Sequence, residues 1–187
     1  MIIIGEKINA TLAGIKSIVL KHDSAGLLDM AKIQTALGAD FIDVNVGTGV
    51  GSQEDEIVSI KWAVKTIQEE IDTPLCIDSA DSGVLEAGLR MRDGRPSLIN
   101  STKAEEKNLA QVVLLAYRYQ TPIIGLAMDE TGIPRTVEDR LRACENIASA
   151  CEEYGVPIEN VYFDPLVLPE STDINQGLVT LHTIAEI

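Results

Sequence analysis

Histidine, cysteine and aromatic side chains are scarce in this sequence of 187 residues: two His, three Cys, and 4% Phe, Trp and Tyr together. Each scarcity excludes something. With only His22 and His182, and no Cys/His cluster at ligand spacing, no metal site is expected. Three scattered cysteines do not make a disulfide framework, so a reducing cytoplasm is the expected compartment. With so few rings, the core must be aliphatic. Basic residues are outnumbered as well: 15 Lys and Arg against 29 Asp and Glu give a formal charge of −14. Nucleic acid and anionic membrane surfaces both demand basic patches, so neither is an expected partner. The opening, MIIIGEKINA, has no basic segment ahead of a long apolar run, so no signal peptide is expected. No apolar run is long enough to span a bilayer.

What is present is a set of six short apolar runs: Ile2–Ile4, Phe41–Val44, Leu75–Ile77, Ser97–Ile99, Pro122–Met128 and Val161–Phe163. Runs of this length and composition suit parallel strands buried on both faces. Helical periodicity lies between them. Leu109, Val112, Val113 and Ala116 follow the i, i+3, i+4, i+7 rule, and Val137, Leu141, Cys144, Ala148 and Cys151 trace a second stripe. Thr102 with Glu105 reads as a capping box, and Thr136 with Asp139 as a weaker one. Trp62 reads as core rather than as a contact with a second subunit, and Cys76 reads as buried. Strand and helix alternate six times, which implies a parallel sheet with crossover helices. No linker or shift in composition divides the chain, so one domain over residues 1–187 is expected.

The polar residues at the strand ends choose between an open sheet and a closed barrel. Glu6, Asp43 with Asn45, Asp78, Asn100, Asp129 and Asp164 stand at the ends of the six runs. An open sheet gathers its ligand groups at one switch point, whereas a barrel arranges every strand end around one mouth. The reading is therefore a (β/α)8 TIM barrel. Glu6 to Asp164 covers five intervals of about 32 residues, and eight such units need roughly 250 residues. About six units are present, and the stretch holding Leu178, Leu181 and Ala185 has neither a glycine cap nor a proline stop. Two further units are expected beyond it.

An ionised Asp only accepts hydrogen bonds, and Asn both donates and accepts. A ring of such groups suits a ligand edge with adjacent N–H donors beside a carbonyl, as a pterin has. Sugars and nucleobases fit as well. The same residue types at strand ends also cap helices, and spacing leaves both roles open.

Six motifs narrow the choice: GEKINAT (5–11), DVNVG (43–47), CIDSA (76–80), INST (99–102), MDETGIP (128–134) and FDPLVLP (163–169). In this order the chain resembles the methyltetrahydrofolate:corrinoid protein methyltransferases. It is similar, less closely, to the folate domain of cobalamin-dependent methionine synthase, and distantly to dihydropteroate synthase. The resemblance implies that Asp78, Asn100 and Asp164 bind the pterin ring, with Glu6 and Asn9 matching positions of the methionine synthase folate site. Asp43 and Asn45 match a family motif and join the pterin-binding set. The resemblance places an Asn after a seventh strand nearest N5, a strand outside the six units present; among the residues here, Asp78 and Asn100 are the catalytic candidates.

The implied reaction moves the N5 methyl between methyltetrahydrofolate and the cobalt of a corrinoid. The chain has no corrinoid-binding Asp-x-His-x-x-Gly, so the corrinoid belongs to a partner protein. A homodimer is expected. Because the corrinoid is itself a strong nucleophile, such a site needs orienting hydrogen bonds rather than a triad.

Rival readings are weaker. NVGTGVGS (45–52) follows a strand and precedes a helix, yet it lacks the G-x-G-x-x-G spacing and the P-loop lysine, so a loop at the barrel mouth is the reading. Lys7 has no evident neighbour to lower its pKa for Schiff-base chemistry. A dihydropteroate synthase would carry an N-V-T-P-D-S-F-like loop after strand one, where this chain has Asn9, Ala10, Thr11 and Leu12. A folate- or partner-binding remnant without turnover is the remaining alternative.

Overall fold

A computed structural model of the protein describes every residue except Glu170 and Thr172. Its elements are β1 (Ile4–Asn9), α1 (Ala13–Lys21), α2 (Ser24–Ala36), β2 (Phe41–Asn45), α3 (Gln53–Gln68), β3 (Leu75–Asp78), α4 (Ser82–Met91), β4 (Ser97–Ala104), α5 (Glu106–Tyr119), β5 (Ile123–Asp129), α6 (Val137–Tyr154), β6 (Val161–Asp164) and α7 (Gln176–Glu186). The strands follow one another in a six-stranded sheet of order β1-β2-β3-β4-β5-β6. The pairs β1·β2, β2·β3, β3·β4 and β5·β6 are all parallel. Contacts concentrate in two units, Met1–Asn100 and Ser101–Ile187.

In the first unit the core is aliphatic. Ile42, Val44, Leu75, Ile77, Leu98 and Ile99 on the strands and Ile60, Val64, Val84 and Leu85 on the helices are all but inaccessible. Each side chain of this size taken out of water contributes about 1.5–3 kcal/mol. Helix α4 comes in close because Gly88 has no side chain. A Cβ there would stand 2.7 Å from Ile77 Cγ2 and 3.1 Å from Ile60 Cγ1. The first crossover holds two helices rather than one. His22 adopts the left-handed conformation (φ 48°) and ends α1, and Asp23 caps α2 by accepting from Gly26 N–H. Trp62 is half-buried, stacks on His22 at 4.6 Å and donates to Ser24 Oγ, so it braces this corner instead of filling the core.

Three expectations need correction. The first strand does not run through Ile2–Ile4; Ile2 and Ile3 are 51% and 44% exposed, and pairing continues instead to Asn9. The cause is a bulge between Gly5 and Ile8. Gln34 packs against Gly5, where a Cβ would meet its Oε1 at 2.6 Å, and that oxygen accepts from Lys7 N–H at 2.8 Å. Glu6 therefore lies inside β1, not after it. Thr102 caps no helix. Strand β4 runs on to Ala104, Glu105 takes the N-cap position, and Thr102 Oγ1 donates to Asn108 Oδ1. On α6 the Thr136 cap forms as read, but the inner stripe is Arg140, Ala143, Cys144, Ile147 and Cys151, with Leu141 and Ala148 at its margin. A charge sits where the apolar rhythm suggested none.

Candidate active site

Strand pairing alone brings four polar side chains to one level. Asn9 pairs with Asn45, Asn45 with Asp78, and Asp78 with Asn100. Register partners on neighbouring strands point to the same side of a sheet, as do residues two apart along one strand. Asp43 and its partner Cys76 therefore lie on that same face, one layer deeper. This layered arrangement follows from the sequence: apolar Val44 and Ile77 point the other way, into the helix layer, and alternate with the polar positions.

Hydrogen bonds tie the two layers together. Asn100 Nδ2 donates to Asp43 Oδ1 at 3.0 Å. Asn45 Nδ2 donates to Asp78 Oδ2 at 2.8 Å, while Asn45 Oδ1 accepts from Gly47 N–H at 2.9 Å. Both ends of the Asn45 amide are thus occupied by protein. Ser79 Oγ donates to Glu56 Oε1 at 2.8 Å, and Ser79 N–H donates to the Asn100 carbonyl at 3.0 Å. Ser79 and Glu56 were not singled out from sequence; the position of Ser79 directly after Asp78 was the only available signal.

Asp43 is 2% exposed. Burial pushes its carboxyl up to about 7, and the charge of Asp78 adds to the effect, against the stabilising N–H of Asn100. Asp78 is raised as well, first by burial and further by Glu6 and Glu56, with the Asn45 amide opposing. The Cys76 thiol, buried against Asp43, is held well above its usual value, which argues against a nucleophilic role.

The other candidates are engaged locally. Glu6 is exposed. Asn9 Oδ1 accepts from Thr11 N–H and Thr11 Oγ1, closing the turn after β1. In the second unit Asp129 Oδ1 closes an equivalent turn on Thr131. Asp164 Oδ1 accepts from Leu166 N–H at 2.8 Å, and Leu166 is left-handed at φ 59°. None of these strand-end residues serves as a helix N-cap among the described residues; those positions belong to Leu12, Asp23, Ser52, Asp81, Glu105, Thr136 and Asn175. The capping alternative left open by spacing is thereby removed.

Between β2 and α3, the loop 46–52 walls a cavity of about 280 Å³. Gly49 and Gly51 take positive φ there, and Ser52 with Asp55 forms a capping box. Asp55, Glu56 and Asp81 line the cavity, a wall unsuited to phosphate. Among the described residues no group of three or more His, Cys, Asp or Glu is arranged to hold a metal ion, and no helix is long and apolar enough to cross a membrane.

The chain belongs to the pterin binding enzyme family, which it matches over residues 5–187. It is 34% identical over 176 residues to the methylcorrinoid:tetrahydrofolate methyltransferase of Eubacterium limosum, an alignment covering 92% of this chain and 63% of that protein. It is 27% identical over 198 residues to methionine synthase of Mycobacterium tuberculosis, covering all of this chain but 16% of the relative. Among solved structures, the dihydropteroate synthase of Vibrio fischeri ES114 superposes with a TM-score of 0.68 at 21% identity, covering 89% of this chain and 62% of that one. The Coxiella burnetii dihydropteroate synthase in complex with pteroic acid superposes with a TM-score of 0.71 at 14% identity, covering 99% and 68%. These likenesses show the fold, the TIM-barrel type, of which six βα units are described here.

Proposed function

We propose that the protein moves the N5 methyl group between methyltetrahydrofolate and the cobalt of a corrinoid carried by a partner protein. The observation that carries this reading is the levelled row Asn45–Asp78–Asn100, locked from below by Asp43. Asn100 donates one N–H to Asp43 and Asp78 Oδ2 accepts one from Asn45, so the row offers carboxylate and amide acceptors together with the second amide hydrogens. An edge of adjacent N–H donors, such as a pterin presents, complements that row. The relative named for methylcorrinoid and tetrahydrofolate supports the reaction class. The Asn9–Leu12 turn, unlike the corresponding loop of a pteroate-forming enzyme, supports methyl transfer over that alternative.

In this reading Asp78, Asn100 and Asp164 contact the pterin, with Glu6 and Asn9 at the rim. Asp43 and Asn45, taken from sequence as direct contacts, become positioning residues. Asp43 is too buried to reach a ligand and acts through Asn100; Asn45 has both amide ends engaged and acts through Asp78. The corrinoid, bound on its own protein, supplies the methyl acceptor or donor. This chain orients the pterin and stabilises N5 as its bond to the methyl breaks, through hydrogen bonds already set in place.

The test is a spectrophotometric transfer assay between methyltetrahydrofolate and reduced cobalamin, run in both directions. Turnover by the protein that falls on Asp78→Ala and Asn100→Ala substitution is expected. Folate binding without turnover would leave a binding module, and no folate binding would overturn the reading.

A further inference from the structure

Arg140 on α6 is 0% exposed, a full positive charge inside the second unit. A buried guanidinium is tolerated only when its donors are matched. Here Nε donates to the Pro134 carbonyl at 3.0 Å. The two hydrogens of Nη1 are shared among the carbonyls of Pro165 at 2.9 Å and Leu166 at 2.7 Å and Thr180 Oγ1 at 2.9 Å. Nη2 donates to Gln176 Oε1 at 3.0 Å. One side chain thus holds the loop after β5, the turn after β6 and the first turns of α7. The single hydroxyl hydrogen of Thr180 is shared between the carbonyls of Leu166 at 2.9 Å and Gln176 at 3.0 Å, so Thr180 shares the Leu166 oxygen with Arg140.

Leu166 is the residue whose N–H holds Asp164, and its left-handed backbone is costly because its Cβ crowds the following carbonyl oxygen. Such a conformation persists only where surrounding contacts over-determine it. Those contacts are the two carbonyl bonds from Arg140 and the one from Thr180. We infer that Arg140 is a positioning residue that sets the carboxylate of Asp164 by fixing the strained Pro165–Leu166 turn. The inference rests on Asp164 being a pterin contact, as proposed above. Lysine cannot replace the fork, since one ammonium offers no planar pair of donors to two loops at once.

The test is a double-mutant cycle on methyltetrahydrofolate affinity, measured by calorimetry on the protein at a temperature where circular dichroism shows each variant folded. Asp164→Ala gives the reference loss. Arg140→Lys should weaken binding about tenfold, and in the Asp164→Ala background it should weaken it no further, because both changes remove one interaction. A purely structural Arg140 would lower the unfolding temperature yet leave folded-state affinity unchanged, which overturns the inference; so does strict additivity with Asp164→Ala. If Arg140→Lys does not fold, Thr180→Val decides, with a smaller loss expected under the same non-additivity. Unchanged affinity in Asp164→Ala itself would instead remove Asp164 from the proposed binding set.

Discussion

Asn100 reaches past β3 to place its Nδ2 3.0 Å from Asp43 Oδ1, two strands away and one layer down. The amide could otherwise turn either way, since its oxygen and nitrogen have nearly the same shape. The deeper carboxyl decides which end the site sees. The same pair links the site to pH, because Asp43 is raised to about 7 by burial and by the nearby Asp78.

The first prediction concerns stability against pH. Asp43 binds its proton more tightly in the folded chain than in the unfolded one. Its contribution is fully present below about pH 4 and is lost as pH rises through about 7. At its steepest the loss is on the order of 1.4 kcal/mol per pH unit. Urea unfolding of wild type and Asp43→Asn across this window checks it. The variant keeps an acceptor for Asn100 and should show a flatter profile; parallel profiles would reject the assignment.

A second prediction addresses ligand affinity. Removing the Asp78 carboxylate leaves ligand donors, and the Asn45 amide, without an acceptor. Asp78→Ala should cost about 1–3 kcal/mol in methyltetrahydrofolate binding, read by titration calorimetry. Asn45→Ala should cost less, because it frees Asp78 without deleting it.

Packing beneath the site yields a third. A methyl at position 88 would press on Ile77 at 2.7 Å, one residue before Asp78. Gly88→Ala should destabilise the fold by about 1–3 kcal/mol through overpacking, measured by chemical unfolding. Little change in midpoint would mean that α4 can move off β3 freely.

The fourth prediction is mechanistic. No methylated protein should form, since Cys76 is buried with its thiol held well above the usual range. Incubation with radiolabelled methyl donor and no corrinoid, followed by denaturation, should leave the protein unlabelled. Stoichiometric label would make transfer two-step.

Much of this was readable from sequence for a physical reason. Strands buried on both faces must be apolar, so the runs at 41–44 and 75–77 announce themselves, and Asn45, Asp78 and Asp164 mark the strand ends. What escaped depended on partners distant in the chain. The bulge at Gly5 is imposed by Gln34, so the end of β1 could not be found from its own residues. Thr102 and Glu105 have a cap's spacing, but β4 extends past it. Arg140 interrupts an apolar stripe, and only the carbonyls of two remote loops explain why a charge belongs there. The division between Asp78 and Asp43, one at the surface of the site and one beneath it, needed the register of three strands.

All three cysteines lie in the interior: Cys76 in the first unit, Cys144 and Cys151 in the second, every one with its thiol raised by burial. A folded molecule should therefore be silent to a thiol reagent, and the chain can be handled in air without reductant. Each labelling event becomes a record of an opening that exposed one particular sulfur. With one reporter in the first unit and two in the second, the order in which the sulfurs react tells whether the halves breathe together or separately.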